Sequence, residues 1–286
     1  VPILVTKKTP AIGAEEVVPG LMGGLQTLSR PGNETMEFGN SGPKRIDSSA
    51  KNAQDAPFPP QKTGINAVSR DQTLREQVVT YGLKLTPSGL SQGTSGNLSV
   101  RHGDGFLITP SGTPYEEITP DGVVQVAMDG SHAQGLRPSS EWRFHRDIYA
   151  ARPDIHAIVH AHPPYSTALS MCRMEIPAAH YMIAVSGGDS IRCAAYYTYG
   201  SQALSDAVMR AMEGRLACLM ANHGMIATGP TLEQAMWRAV EVETLARQYT
   251  LALQIGKPVL LTDTEVAQAL EKFGNYGLMS RTQSSS

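Results

Sequence analysis

What this chain lacks narrows its function early. It has only three cysteines, Cys172, Cys193 and Cys218, and none stand in a CxxC spacing. So sparse and odd a set excludes a disulfide framework and fits a reducing compartment, so the expectation is a cytoplasmic protein. No apolar run approaches the ~20 residues that a membrane-spanning helix needs. The opening Val1-Pro2-Ile3-Leu4-Val5 is apolar but short, and Lys7-Lys8 follows it, the reverse of a signal peptide's order. The formal net charge is only −2, which gives no electrostatic grip on nucleic acid or an anionic membrane. There is no glycine-rich dinucleotide fingerprint, no Walker-type loop with its lysine and no internal repeat. The expected partner is therefore a small molecule, with neither nucleic acid nor membrane involved.

What is present is core-forming. Hydrophobic residues make up 41% and charged residues 17% of 286 positions, enough for one large packed domain or two small ones. The composition changes near residue 70. Residues 1–70 are rich in Gly, Pro, Ser, Asn and Lys, lack a sustained period, and read as a flexible or poorly ordered extension. Residues 71–286 carry the folded, catalytic body.

Within that body, Asp71 is expected to cap a helix with Leu74, Val78, Tyr81 and Leu85 on one stripe. His102-Gly103-Asp104-Gly105 reads as a hairpin turn between two strands, and Val123 to Met128 as a third strand. Ser139 or Ser140 is the expected cap of a helix holding Trp142, His145, Ile148 and Tyr149. A buried strand over 155–162 follows, then a helix from Pro164, a strand-like stretch after Ile176, a helix ending before Gly214, and a strand from Leu216 to Met220. Thr231 with Gln234 marks the start of the longest helix, and a last amphipathic helix covers about 263–273. Interleaved helices with tightly turned strands favour a mixed or antiparallel sheet covered by helices over a doubly wound parallel sheet.

The chemistry gathers on the Ile155–Pro163 strand. Residues i and i+2 share a face of a strand, so His160 and His162 aim two imidazoles at one point, and Pro163 ends the ladder there. His156 has the same parity but stands further back and reads as structural. His223, beside Gly224 at the end of another strand, is a third candidate ligand. Three neutral imidazoles with one open position form a catalytic divalent-metal site of the zinc type, a Lewis acid for a carbonyl or enolate oxygen. Glu141 follows Ser139-Ser140 at a helix start. There it serves either as the helix dipole's carboxylate partner or as a general acid/base near the metal. Thr94, Asn97, Ser111, Gly112, Ser139 and Ser140 are small polar residues in turns and at helix starts, where N–H groups and hydroxyls bind phosphate; any one of them alone is also ordinary turn chemistry.

Five motifs occur in a telling order: Gly93-Thr94-Ser95-Gly96-Asn97-Leu98-Ser99, Ile108-Thr109-Pro110-Ser111-Gly112, Ser139-Ser140-Glu141-Trp142-Arg143-Phe144-His145, Val159-His160-Ala161-His162 and Asn222-His223-Gly224. Together they resemble the class II aldolase/adducin family over about residues 71–278. Ile176–Ala184, Gly187–Ile191 and Glu271–Gly277 bring the likeness nearest to its bacterial L-fuculose-1-phosphate aldolase branch. The resemblance implies a three-layer α/β/α fold with a mainly antiparallel central sheet, in a fourfold-symmetric homotetramer with active sites at subunit interfaces. It implies Zn²⁺ held by His160, His162 and His223, with Glu141 a metal ligand that leaves to carry a proton. The substrate phosphate would sit among Thr94, Asn97, Ser111, Gly112, Ser139 and Ser140. Tyr181 of a neighbouring subunit would be the acid/base on the aldehyde oxygen, and Tyr276 would help close the site. The implied reaction is reversible cleavage of a ketose-1-phosphate to dihydroxyacetone phosphate and an aldehyde of the lactaldehyde type. Ala161, Pro163-Pro164-Tyr165 and Tyr199 depart from that branch at the aldehyde end. They open 5-deoxyribulose-1-phosphate or 5-methylthioribulose-1-phosphate cleavage, or a methylthioribulose-1-phosphate dehydratase, as alternatives.

Overall fold

The computed structural model describes residues 67–273. The expected extension lies outside them except for residues 67–70, and so does Tyr276.

Seven strands form one sheet: β1 (Asn97–His102), β2 (Gly105–Ile108), β3 (Val124–Ala127), β4 (Ala157–Ala161), β5 (Cys193–Ala194), β6 (Ala217–Met220) and β7 (Gly224–Gly229). Their order across the sheet is β3-β2-β1-β4-β7-β6-β5. Every pairing is antiparallel except β5 with β6. Six helices accompany it: α1 (Ala67–Leu85), α2 (Trp142–Ala151), α3 (Pro164–Met171), α4 (Gln202–Ala211), α5 (Leu232–Ile255) and α6 (Asp263–Phe273).

Alternation along the strands explains the layering. Leu98, Val100, Leu107, Val159, Ala161, Leu219, Met225 and Ala227 face a core completed by α1, α3, α5 and α6. Phe106, Ile108, Val124, Val126, Ile158, Cys218, Met220 and Ile226 point the other way, to a core completed by α2 and α4. Both faces are therefore dry. That is why β4 reads as an unbroken apolar run and not as an alternating one. The architecture is the expected three-layer α/β/α, with a mainly antiparallel sheet. Among the described residues, no helix is long and apolar enough to cross a membrane.

Four local expectations are corrected. Helix α1 is under way at Ala67, so Asp71 does not cap it; its carboxylate instead accepts from Arg75 one turn on, at 2.7 Å. Neither Ser139 nor Ser140 is the N-cap of α2, because Glu141 occupies that position with φ −99° and no side-chain cap bond. The stretch after Ile176 forms only an isolated bridge to Ile191, followed by a 3-10 turn over Tyr181–Ser186. Finally, β7 was not expected at all, yet it is the strand that joins β4 to β6. The capping motif at α5 is as read: the Thr231 side chain accepts from the Gln234 N–H at 3.2 Å.

Candidate active site

Pairing of the sheet brings distant residues to one end of it. His160 is the penultimate residue of β4 and lies opposite Asn97, the first residue of β1. His162 follows immediately beyond β4. On the other side β4 pairs with β7 from Ala161↔Met225 onward, and β7 is joined to β6 by the three-residue turn Ala221–His223. Asn222 takes a left-handed φ of 54° in that turn, a conformation asparagine tolerates better than most residues. The turn therefore places His223 beside the end of β4. Glu141 arrives from the opposite layer as the N-cap residue of α2.

The three imidazoles stand edge to edge, with ring centroids 4.7 to 4.9 Å apart. His160 Nε2 lies 2.9 Å from His162 Nε2 and 3.0 Å from Glu141 Oε2, and His223 Nε2 is 3.2 Å from Glu141 Oε1. His160 Nδ1 is 2.9 Å from the Met225 carbonyl. That nitrogen must donate, so Nε2 of the neutral ring turns its lone pair into the cluster. Burial opposes the charged form of Glu141, but His160 and His223 outweigh it and hold the carboxyl far below the usual carboxylate range. Burial would lower His160, yet Glu141 raises it above the ordinary imidazole value. Burial, with His160 and His223 adding to it, pushes His162 down to about 3.

These contacts fit a metal ion better than a proton. Donor atoms of His160, His162 and His223 all lie within 4.8 Å of one another. Two imidazole nitrogens face each other without a carbonyl or hydroxyl between them. Glu141 Oε1 is buried and has no aligned hydrogen bond. Three neutral nitrogens and an adjacent carboxylate converging on one point are the donor set of a catalytic divalent-ion site.

The cluster opens into a cavity of about 440 Å³. Thr94, Asn97, Ser111, Gly112, Ser139 and Ser140 all line it, together with Glu141, His162 and His223. Every member of the expected phosphate set is thus brought to the histidine cluster. Among the described residues, no lysine or arginine lines it, so an anion there would be held by hydroxyls and backbone N–H groups. Tyr181 is placed elsewhere. It is exposed, and with Met182, Trp237, Glu241 and Lys272 it lines a separate hollow of its own chain. His156 is exposed and away from the cluster. Tyr196 and Tyr197 line the cavity without having been singled out, and Tyr199 and Asn222 join them. Three tyrosines close together in a turn-rich stretch, Tyr196-Tyr197-Thr198-Tyr199-Gly200, were the signal available for that wall.

Two supports hold the ligands. Gly96 packs so tightly that a Cβ there would sit 2.7 Å from the His160 carbonyl oxygen, and its φ of 82° already favours glycine. Glu243 on α5 accepts from the N–H groups of Tyr165 and Ser166 and from Ser166 Oγ, each at 2.8 Å. This carboxylate caps α3 directly after His162-Pro163 and so fixes the chain leaving the second ligand.

Comparison with known proteins places these features in context. Residues 76–250 match the family model described as the Class II Aldolase and Adducin N-terminal domain. A 5-methylthioribulose-1-phosphate/5-deoxyribulose-1-phosphate aldolase of Rhodospirillum rubrum is 51% identical over 204 residues, 71% of this chain and 92% of the relative. The L-fuculose phosphate aldolase of Escherichia coli strain K12 is 50% identical over 206 residues, 72% of this chain and 96% of the relative. A solved L-fuculose 1-phosphate aldolase superposes with a TM-score of 0.68 at 43% identity, over 70% of this chain and 96% of that one.

Proposed function

Because the chain belongs to the class II aldolase and adducin family and is a class II aldolase, we propose that it cleaves a ketose-1-phosphate, of the L-fuculose-1-phosphate type, reversibly to dihydroxyacetone phosphate and a short aldehyde, using zinc. One observation carries this reading: His160, His162 and His223 converge beside Glu141, and Glu141, His162 and His223 line a cavity together with six small polar residues suited to a phosphate.

His160, His162 and His223 would hold the ion, which when bound supplies a Lewis acid for the ketose oxygens. Thr94, Asn97, Ser111, Gly112, Ser139 and Ser140 bind the phosphate. They anchor the substrate so that its C3–C4 bond lies over Glu141. When that bond breaks, the C4 hydroxyl loses its proton and becomes the aldehyde, and the bonding pair moves toward the ketone. The proton released from the C4 hydroxyl is passed through Tyr181 and solvent to the Glu141 carboxylate, which delivers it to C3 and completes dihydroxyacetone phosphate; in the condensation direction Glu141 removes the C3 proton and the sequence runs in reverse. Tyr181 of a neighbouring subunit in a homotetramer exchanges the proton of the aldehyde oxygen, which fits its absence from the cavity of its own chain. Tyr276, the remaining expected site residue, lies outside the described residues.

A second substrate reading has its own support. The wall of Tyr196, Tyr197 and Tyr199 offers large aromatic faces to the aldehyde end, and the methylthioribulose-phosphate relative matches as well as the fuculose one. Metal-loaded protein should be given L-fuculose-1-phosphate, 5-deoxyribulose-1-phosphate and 5-methylthioribulose-1-phosphate in parallel, with dihydroxyacetone phosphate measured. Release from one or more supports the aldolase, and the ranking of kcat/KM selects the aldehyde. Consumption without triose phosphate points to a dehydratase, and no turnover of any of the three overturns the reading.

A further inference from the structure

From Asn97 at the cavity wall a buried polar chain runs inward, and its inner members, His145, Ser99 and Tyr149, have no part in the proposed chemistry. Asn97 Nδ2 donates to Glu141 Oε2 at 3.0 Å. The same amide's Oδ1 lies 2.6 Å from His145 Nε2. His145 Nδ1 lies 2.7 Å from Ser99 Oγ, which lies 2.7 Å from Tyr149 Oη. His145 and Ser99 are completely buried, and Tyr149 and Asn97 nearly so.

We propose that His145, backed by Ser99 and Tyr149, is a positioning residue that fixes the Asn97 amide and, through it, the Glu141 carboxylate in the orientation proton transfer needs. The proposal rests on Glu141 being the proton carrier.

The geometry follows from two repeats that match in length. His145 and Tyr149 are four residues apart on α2, about 6 Å along a helix. Asn97 and Ser99 are two apart on β1, about 6.6 Å along a strand and on one face. Helix α2 lies over the sheet with its first turn at Glu141, so both pairs meet in register.

The hydrogen bonds have only one consistent polarity. The Glu141 carboxylate accepts only, so Asn97 must present its NH₂ to it and its Oδ1 to His145. His145 must then donate from Nε2. Burial keeps the ring neutral, with the nearby His160 adding to the effect, and its pKa is pushed down to about 3. A neutral ring that donates from Nε2 must accept at Nδ1, and the Ser99 hydroxyl supplies that proton. The Ser99 oxygen then accepts from Tyr149, whose phenol burial pushes up and so keeps as a donor. Without the His145 N–H the buried Asn97 oxygen loses its partner, and the amide is free to swing out of line with Glu141.

A merely structural role would not require this chain. Phe106 and Phe144 flank the His145 ring, and an apolar side chain would suit that neighbourhood without four linked polar groups. Buried polar groups are costly unless each is bonded. This series ends on the carboxylate at the cavity floor.

The test compares wild type, His145→Leu, His145→Gln and Ser99→Ala as metal-loaded full chains. Four quantities are read: metal content, KM, kcat, and exchange of the C3 proton of dihydroxyacetone phosphate with deuterium oxide in the absence of aldehyde. His145→Leu is expected to keep its metal and KM while kcat and exchange fall together by about 10–100-fold, the usual size for a residue that orients a metal-site ligand. His145→Gln, whose amide N–H reaches the place of Nε2, restores most of both. Ser99→Ala, which frees the tautomer without emptying the ring's space, falls between them and carries the test if the leucine variant does not fold. Unchanged kcat and exchange in His145→Leu, or in Ser99→Ala where leucine fails, overturns the proposal. Loss of metal in step with kcat also overturns it, by moving the residue's effect to the ion. A wild type that neither exchanges the proton nor cleaves any ketose-1-phosphate overturns the aldolase reading itself.

Discussion

Substituting Gly224 by alanine should cost the protein its metal. A Cβ at Gly224 would stand 2.4 Å from the Ala161 carbonyl oxygen and 2.6 Å from His162 Cδ2. The φ of Gly224 is not in the left-handed region, so the cost is contact and not backbone conformation. The Ala161 carbonyl belongs to the β4–β7 ladder, so relieving its contact distorts the strand that leads into His162, and the His162 ring is displaced as well. Bringing its carbon to an ordinary separation of about 3.5 Å requires a shift of about 0.9 Å. Metal–ligand distances tolerate only about 0.2 Å. The expected result is a stability loss of about 1–3 kcal/mol from overpacking and a tenfold or larger weakening of metal affinity. The assay is bound metal after dialysis against graded chelator, with triose phosphate release measured on the same samples. Gly214→Ala is the control: its φ is 65° and nothing lies within 4 Å of the added carbon. It should lose about 1–2 kcal/mol to left-handed backbone and keep its metal. If Gly224→Ala binds metal and turns over like wild type, the packing argument is wrong.

His223→Ala should lose both bound metal and aldolase activity, and a metal-free but fully active variant would refute its assignment as a ligand. Glu243→Ala removes the carboxylate that accepts three hydrogen bonds at the start of α3; it should lower stability by about 1–2 kcal/mol, seen as a fall of several degrees in Tm, and an unchanged Tm would show that the cap contributes nothing. Burial raises the Asp147 carboxyl, but hydrogen bonds from Arg146, Ser205 and Gln202 outweigh it, so its folded pKa is depressed. Its stabilising effect is therefore complete above its unfolded pKa of about 3.9 and is lost as pH falls through the lower folded value. Asp147→Asn should be less stable than wild type at neutral pH, with the gap closing below about pH 4 in chemical denaturation; a gap that persists into strong acid contradicts this.

The sequence revealed the donors more readily than their arrangement. The His160–His162 spacing sets both rings on one side of a strand, whatever that strand pairs with. The capping pattern of Thr231 and Gln234 is local chemistry, and the structure reproduces it. What was hidden depends on pairing. Met225-Ile226-Ala227-Thr228 is a short apolar run between a glycine and a turn, and it carries no alternation because both faces of β7 are covered. Without β7 as a strand there was no route from His223 to His160. His145 looked like one more member of the inward stripe of α2. Only the register of α2 over β1 shows that it meets Asn97 and Ser99, and that register is a tertiary property. The Glu141 N-cap position was off by one or two residues for a related reason, since Ser139 and Ser140 are better caps by type and the carboxylate wins by being drawn to His160 and His223.

Two helices begin at the site, and the difference between them decides where an anion belongs. Helix α3 starts directly after His162, but its first N–H groups are already satisfied by Glu243, so the positive end of its dipole already faces a carboxylate. Helix α2 starts at Glu141 with no side-chain cap bond, and Ser139 and Ser140 open onto the cavity there. The positive end of α2 is thus the one left for a ligand. Among the described residues no lysine or arginine lines the cavity, so the phosphate of the proposed substrate would be held by hydroxyls, backbone N–H groups and one helix terminus. The same α2 terminus carries Glu141, and His145 follows within the helix, so one helix start would set the proposed anchor for the substrate, the proposed proton carrier beside it and the proposed support behind that carrier. A shift of α2 along β1 would move all three together, so the polar register between α2 and β1, and not any single ligand, is the feature on which the site depends.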